Sequence, residues 1–69
     1  MNLPSRIIKE LSLINSVRVF DLPGNCVFEE NNVKSNNFLF NKGNLHAGLY
    51  FLRVEDTKGN VFLKKIILN

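Results

Sequence analysis

The last third of the chain, Ala47 to Asn69, most constrains how this sequence can fold. Two runs of β-branched, aromatic and aliphatic residues, Leu49 to Val54 and Val61 to Leu68, are parted by a short polar segment. Within that segment, Lys58-Gly59-Asn60 supplies the positive φ that a tight turn needs. Neither run contains Pro, so every backbone N–H in them can join a β-ladder. The pattern predicts a β-hairpin.

The length of the chain limits what can stabilise it. A chain of 69 residues forms one small domain, and such a domain buries only about 60% of the surface that its unfolded chain exposes. Cys26 is the single cysteine, so no internal disulfide can form, and no Cys/His cluster offers a structural metal site. Hydrophobic residues make up 45% of the chain and charged residues 22%, which is typical of a folded domain and not of a disordered one.

Upstream of the hairpin, apolar runs alternate with turn residues. Val17 to Leu22 predicts a strand, because its apolar and polar side chains alternate. Pro23-Gly24 predicts a type II turn with Gly24 at its third position, and Cys26 to Phe28 predicts a second strand paired with the first. Phe38 to Phe40 predicts another short strand. Residues 29–37 are nearly all polar and predict a surface loop.

Met1 to Ser16 has the weakest pattern in the chain. Four apolar residues recur there at helical spacing, namely Ile7, Ile8, Leu11 and Ile14. The same residues could form a strand or an extended arm, because β-branched Ile lowers helix propensity and a short helix is marginal alone. An irregular or short-helical lead-in is the favoured interpretation.

Turn signals recur along the chain at intervals typical of a small all-β sandwich or barrel. Gly-Asn dipeptides begin at Gly24, Gly43 and Gly59, and we interpret them as turn chemistry without a wider repeat. The sequence shows no alternation of strands and helices, so we do not expect a parallel sheet. The sequence therefore predicts a single domain, residues 1–69, with a lead-in over 1–16 and an antiparallel β-sandwich of about five strands over 17–69.

Reactive side chains are few. An enzyme would need Cys26 and His46 to meet in a cleft, and no orienting group or Gly-rich oxyanion loop accompanies them. His46 fits better as a loop residue and Cys26 as a small buried apolar group. The adjacent pairs Glu29-Glu30 and Glu55-Asp56 direct neighbours to opposite faces, so we interpret them as solvated residues. The sequence predicts no catalytic residue, no metal and no cofactor.

The net charge of +3 raises the question of a nucleic-acid partner. The basic residues are spread along the chain, with Lys64-Lys65 as the one adjacent pair. Aromatic side chains near Arg53 and these lysines could stack bases, but a domain of this size needs most of its aromatics for its core. No stretch approaches the roughly 20 apolar residues of a membrane span. We expect no nucleic-acid partner and no membrane span.

Three motifs in order carry a family resemblance. Val17-Arg-Val-Phe-Asp-Leu-Pro-Gly24 forms the first, and Leu45-His-Ala-Gly-Leu-Tyr-Phe-Leu-Arg-Val54 the second. The third is Gly59-Asn-Val61 followed by Lys64-Lys65-Ile66-Ile67. Over residues 17–69 the chain resembles the C-terminal sorting domain of the bacterial type IX (Por) secretion system. The motif positions expected to be structural are Val19, Phe20, Asp21, Leu22, Gly24, Leu45, Gly48, Tyr50 and Gly59.

The resemblance implies a non-catalytic address for an attached cargo protein. Such domains direct cargo through the periplasm and across the outer membrane, to the cell surface or into the medium. The implied partners are the type IX machinery at the outer membrane and a cargo domain upstream. The candidates for recognition are Lys64, Lys65, Ile66 and Ile67. The alternative for the two lysines is protection of a sheet edge, which is common.

The start of the chain departs from the family pattern. Family domains usually begin with a Tyr/Phe-Pro-Asn-Pro stretch and further strands, where this chain has Met1-Asn-Leu-Pro4. We therefore expect a longer parent chain that carries the export signal, and a fold that lacks an N-terminal edge strand. An exposed edge invites pairing with a second copy, so we expect self-association.

The resulting prediction is an all-β, immunoglobulin-like antiparallel sandwich that acts as a sorting domain. The alternative is a non-catalytic β-sandwich that binds carbohydrate or a protein partner. That alternative predicts an exposed aromatic patch away from the terminal strand.

Overall fold

The computed structural model of the protein describes the backbone of residues 5–69 and the side chains of Ile8 and residues 10–69. It contains four strands: β1 (Ser5–Phe20), β2 (Cys26–Asn41), β3 (Gly48–Asp56) and β4 (Val61–Leu68). All pairings are antiparallel, and the strands form one sheet in the order β2-β1-β3-β4. Residues 5–69 contain no helix.

These elements confirm the all-β, antiparallel fold class. They do not confirm an immunoglobulin-like sandwich of about five strands, because residues 5–69 form four strands joined in a single sheet. Any edge strand before Ser5 lies outside the described residues. Both predicted hairpins are confirmed: Phe20 pairs with Cys26 across the first turn, and β4 pairs with β3 from Gly48↔Leu68 to Glu55↔Val61.

Residues 5–16 and 29–37 are both strand. The favoured irregular or short-helical lead-in and the predicted polar loop are therefore wrong, and the strand alternative for the lead-in is confirmed for residues 5–16. Residues 5–9 of β1 pair with residues 37–41 of β2, and the polar run 29–37 lies wholly within β2. Ladder hydrogen bonds use backbone groups, which a polar side chain leaves intact. Pairing with a distant strand also outweighs the weak helical spacing of residues 5–16. Residues 1–4 of the lead-in lie outside the described part of the chain.

The long β1–β2 hairpin bends back on itself. Phe28 and Phe40 both lie in β2, yet their ring centroids are 5.0 Å apart. A straight strand would separate them by roughly 40 Å, at about 3.3 Å per residue. Between them, Asn32 and Lys34 adopt left-handed φ values of 57° and 53°, a backbone region rare outside glycine. The sheet therefore doubles over and encloses a core between its two halves.

One core joins all four strands. Its buried members are Ile8, Ile14, Val17, Val19, Phe40, Tyr50, Leu52, Val54 and Leu68. Burial alternates along β3, where Tyr50, Leu52 and Val54 are buried and the residues between them are not, as in a strand with one face on the core. We call the core side of β1, β3 and β4 the inner face and the opposite side the outer face.

The turns that follow β1 and β3 share one structure. In each, an Asp carboxylate accepts hydrogen bonds from the backbone N–H and the side-chain amide of the Asn four residues later. The bonds are 2.7 and 3.2 Å for Asp21 with Asn25, and 2.8 and 3.0 Å for Asp56 with Asn60. The sequence Asp-x-x-Gly-Asn therefore repeats in these two turns, which corrects the interpretation that nothing around Gly-Asn repeats.

The first of these turns also differs from the predicted type. The N–H of Gly24 donates to the carbonyl of Asp21 over 3.0 Å, so Gly24 is the fourth residue of the turn and not the third of a type II turn. Its φ of +99° suits glycine. Leu22 lies in this turn and is 64% exposed, so its assignment to the first strand is wrong: β1 ends at Phe20.

Candidate recognition surface on the terminal strand

Strand β4 divides the terminal Lys-Lys-Ile-Ile motif between the two faces of the sheet. Lys64 stands opposite the buried Leu52, which places Lys64 on the inner face. Lys65 stands opposite the exposed Phe51, which places Lys65 on the outer face. Because side chains alternate along a strand, Ile66 accompanies Lys64 and Ile67 accompanies Lys65. The four predicted recognition residues thus form an inner pair and an outer pair.

The inner pair anchors the strand. The Nζ atom of Lys64 lies 2.9 Å from Oε1 of Glu10, whose side chain is only 10% exposed. Ile66 packs against the core, and Leu68, the next inward residue, is 3% exposed. The ion pair joins the terminal strand to β1, which is not its neighbour in the sheet. Sequence reasoning missed Glu10, because nothing local connects the two residues.

The outer pair faces solvent. Lys65 is exposed and makes no ion pair with any side chain that the structure describes. The side chain of Ile67 is 58% exposed, and that of Leu63, the preceding outward residue, is 75% exposed. A cation therefore stands between two exposed aliphatic side chains on one face of β4.

This row continues across the outer face of the sheet. Phe51 stands between Phe20 of β1 and Lys65 of β4, and Arg53 stands between Arg18 and Leu63. The carboxylate of Glu29 accepts a 2.9 Å hydrogen bond from Arg18. The Nη1 atom of Arg53 is buried without a hydrogen-bond partner, 4.0 Å from Glu55. The outer face thus combines exposed apolar side chains with basic groups.

Tyr50 occupies a distinctive place among the motif positions. Its hydroxyl donates a 2.7 Å hydrogen bond to the carbonyl of His46, the geometry of a tyrosine corner. Leu45 packs against the core in the same connection, and Gly48 begins β3 with a φ of +151°. The remaining motif positions are placed as follows: Val19 in the core, Phe20 on the outer face, and Asp21, Leu22, Gly24 and Gly59 in the two Asp-x-x-Gly-Asn turns.

The two residues considered for catalysis lie in different elements of the fold. Cys26 is exposed and not buried as predicted, because it begins an edge strand, and its thiol donates to the carbonyl of Phe28 at 3.4 Å. His46 lies in the connection between β2 and β3, so it is a loop residue as predicted. Within residues 5–69, no group of three or more His, Cys, Asp or Glu is placed to hold a metal ion.

Asp56 corrects the interpretation of the carboxylate pairs as solvated. It is 2% exposed, because it closes the β3–β4 turn. The hydrogen bond from the Asn60 side chain lowers the pKa of Asp56 below its ordinary value of 3.8, against the opposing effect of burial. Backbone hydrogen bonds from Asn60 and Lys58 lower it further. The Asp-x-x-Gly-Asn pattern is the sequence signal that could have identified this role.

The aromatic residues serve the core for the most part. Phe40 and Tyr50 are buried, and Phe28 packs edge-on against Phe40. The aromatic side chains among the exposed large apolar residues are Phe51 at 39% and Phe62 at 37%. Both lie on β3 or β4 and not away from the terminal strand, so nothing favours the alternative of a carbohydrate- or protein-binding module.

Comparison with known proteins identifies the family. The family model described as the secretion system C-terminal sorting domain matches residues 2–69. The chain belongs to this family. The match extends through residues 2–16, upstream of the motifs that carry the resemblance. No curated protein and no solved structure matches the chain.

Membership of this family shows what the domain does. It is a C-terminal sorting signal for type IX secretion, and it works with the secretion machinery and a cargo protein. Sorting by this system exports the cargo through the outer membrane to the cell surface or into the medium. The family is non-catalytic, which fits the expectation that the domain is no enzyme. No helix in residues 5–69 is long and apolar enough to cross a membrane.

Proposed function

We propose that the type IX machinery recognises this sorting domain through the outer side of β4, with Lys65 and Ile67 as the contact residues. Lys64 and Ile66 hold the strand in place. The observation that carries this proposal is the difference between the two lysines. Both lysines are exposed, but Lys64 is paired with Glu10, whereas Lys65 stands between two aliphatic side chains and makes no ion pair with any described side chain.

The composition of the outer side supports this role. Exposed apolar side chains next to a cation are what a protein interface uses, since apolar burial supplies affinity and charge supplies specificity. Leu63, Phe51 and Ile67 lie close to Lys65 on one face. On the inward side, Lys64 is already paired with Glu10 and Ile66 packs against the core, so a partner would have to compete with these contacts.

We further propose that residues 1–69 act as one sorting unit and that the cargo passes through the periplasm before the outer membrane. The shared core supports the first point, because all four strands contribute to it and none could be removed without exposing it. Self-association of the isolated domain stays a prediction. Sedimentation over a hundredfold range of concentration would test it, and a constant monomer mass would contradict it.

Matched variants test the recognition surface. Residues 1–69 are fused to an inert reporter with its own export signal, in a cell with type IX secretion. We expect the double variant Lys65→Gln, Ile67→Thr to leave the reporter in the periplasm. The isolated domain with the same two substitutions should unfold at the same urea midpoint as the wild type. We expect Lys64→Gln to lower the urea midpoint while the folded domain is still sorted. Normal secretion of the Lys65→Gln, Ile67→Thr reporter would contradict the proposal.

A further inference from the structure

The two outermost strands of the sheet that residues 5–69 form differ in regularity. Strand β2 is bent, contains Asn32 and Lys34 in the left-handed region, and shifts register three times against β1. Strand β4 pairs with β3 without a register shift along its whole length. Within residues 5–69, β3 is the one strand that pairs with the segment Val61–Lys65. A regular edge strand of this kind is a template for an added strand, whereas bends and bulges protect an edge from pairing.

The charges at the centre of β4 decide which strand can be added. Two copies whose β4 edges paired around a twofold axis at Lys65 would bring the two Lys65 side chains directly opposite each other. Like charges directly opposite each other are unfavourable in a sheet. Glu10 already neutralises Lys64 on the inner face. Lys65 therefore remains as the outward charge, and it is complementary to a carboxylate on a foreign strand.

We propose that the segment Val61–Lys65 accepts an added β-strand from a protein partner, and that this strand carries a carboxylate beside Lys65 and an apolar side chain beside Leu63. The carboxylate and the apolar side chain of the partner segment are therefore two residues apart, on the same face of the added strand. The backbone ladder supplies affinity, and the alternate side chains supply specificity. This inference rests on the proposed function, since it specifies how the outer side of β4 is contacted and by what chemistry.

A symmetric peptide tests the pairing in either strand direction. The probe is N-acetyl-Thr-Val-Thr-Glu-Thr-Val-Thr-amide, which is titrated into the full 69-residue chain while backbone amide signals are followed by NMR. We expect the largest shifts in β4 and, at low salt, affinity about tenfold higher than for the same peptide with Lys in place of Glu. Lys65→Glu should reverse this preference, and Lys64→Gln should leave it unchanged. Equal affinity for the two peptides would overturn the charge assignment.

Alternate N-methylation tests whether the peptide adds as a strand. Two peptides are compared, one methylated at the Thr nitrogens and one at the Val and Glu nitrogens, because the two sets face opposite edges of an extended peptide. We expect one of them to lose binding and the other to retain it. Equal binding by both, or no binding by the unmodified peptide, would overturn strand addition.

The proposed recognition surface is judged separately, by secretion of the reporter. If Lys65→Gln, Ile67→Thr blocks sorting while the two N-methylated peptides bind equally, strand addition fails and the recognition surface stands.

Discussion

The Nζ atom of Lys64 lies 2.9 Å from Oε1 of Glu10, although β4 and β1 are not neighbours in the sheet. The contact exists because the β1–β2 hairpin doubles over and brings the middle of β1 close to the inner face of β4. It distinguishes the two lysines of the terminal motif, since Lys64 is paired within the domain and Lys65 makes no ion pair with any described side chain.

Removing this ion pair should destabilise the domain. The Glu10 side chain is largely buried, unlike the carboxylate of a typical surface ion pair. We therefore expect a coupling free energy between Glu10 and Lys64 of about 1 kcal/mol, at the upper end of the range for exposed pairs. The measurement is a double-mutant cycle of Glu10→Gln and Lys64→Met in urea unfolding. Lys65→Met is the matched control and should change stability by less than about 0.5 kcal/mol. Equal losses for the two lysine variants would contradict the assignment of faces.

Truncation of two leucines on adjacent strands should cost very different amounts of stability. Leu52 is 1% exposed and Leu63 is 75% exposed. We expect Leu52→Ala to cost about 3 kcal/mol, because it leaves a cavity in the core, and Leu63→Ala to cost less than about 0.5 kcal/mol. Urea unfolding measures both. We expect the Leu63→Ala reporter to be secreted less efficiently than the wild type despite its normal stability. A destabilised Leu63→Ala domain would show that the outer face is packed and not open.

Acid should weaken the domain through Asp56. Its pKa is lower in the folded protein than its ordinary value of 3.8, chiefly because the Asn60 side chain donates to the carboxylate. A lowered folded pKa stabilises the domain above about pH 3.8, and this contribution is lost as the pH falls through the folded value. We expect Asp56→Asn to lower the urea midpoint at pH 6 and to flatten its decline between pH 5 and pH 2, as roughly the range over which such groups titrate.

Asp21→Asn is the control for this prediction, because Asp21 occupies the same position in the other Asp-x-x-Gly-Asn turn but is less buried than Asp56. The Asp21→Asn variant should still show the part of the decline of the urea midpoint in acid that Asp56 causes. A decline in Asp56→Asn as steep as in the wild type would show that other carboxylates dominate.

The hydroxyl of Tyr50 should stabilise the connection between β2 and β3. Tyr50→Phe keeps the buried ring and removes the 2.7 Å bond to the carbonyl of His46. We expect a loss of about 1 kcal/mol, the usual net value of one hydrogen bond, and faster amide exchange near His46 than in the wild type. The same substitution should leave exchange at the Asp56 turn unchanged. An unaltered urea midpoint would contradict the role of this bond.

Local chemistry made the two hairpins predictable. The Gly residues at 24 and 59 and the apolar runs beside them specify turns and strands without help from distant residues. The same logic fails for residues 5–16 and 29–37. Their strand conformation depends on pairing with each other. The apolar spacing of the first segment favours a helix, and the polarity of the second favours a loop.

The orientation of the terminal motif marks the same boundary. The sequence by itself determined that Lys64 and Lys65 lie on opposite faces, because side chains alternate along any strand. It could not determine which lysine faces the core, since Phe62 and Ile66 on one side of β4 are as apolar as Leu63 and Ile67 on the other. Only the tertiary structure decided this. The doubled-over hairpin covers one face of the sheet and brings Glu10 to Lys64, and Lys65 is left on the exposed face.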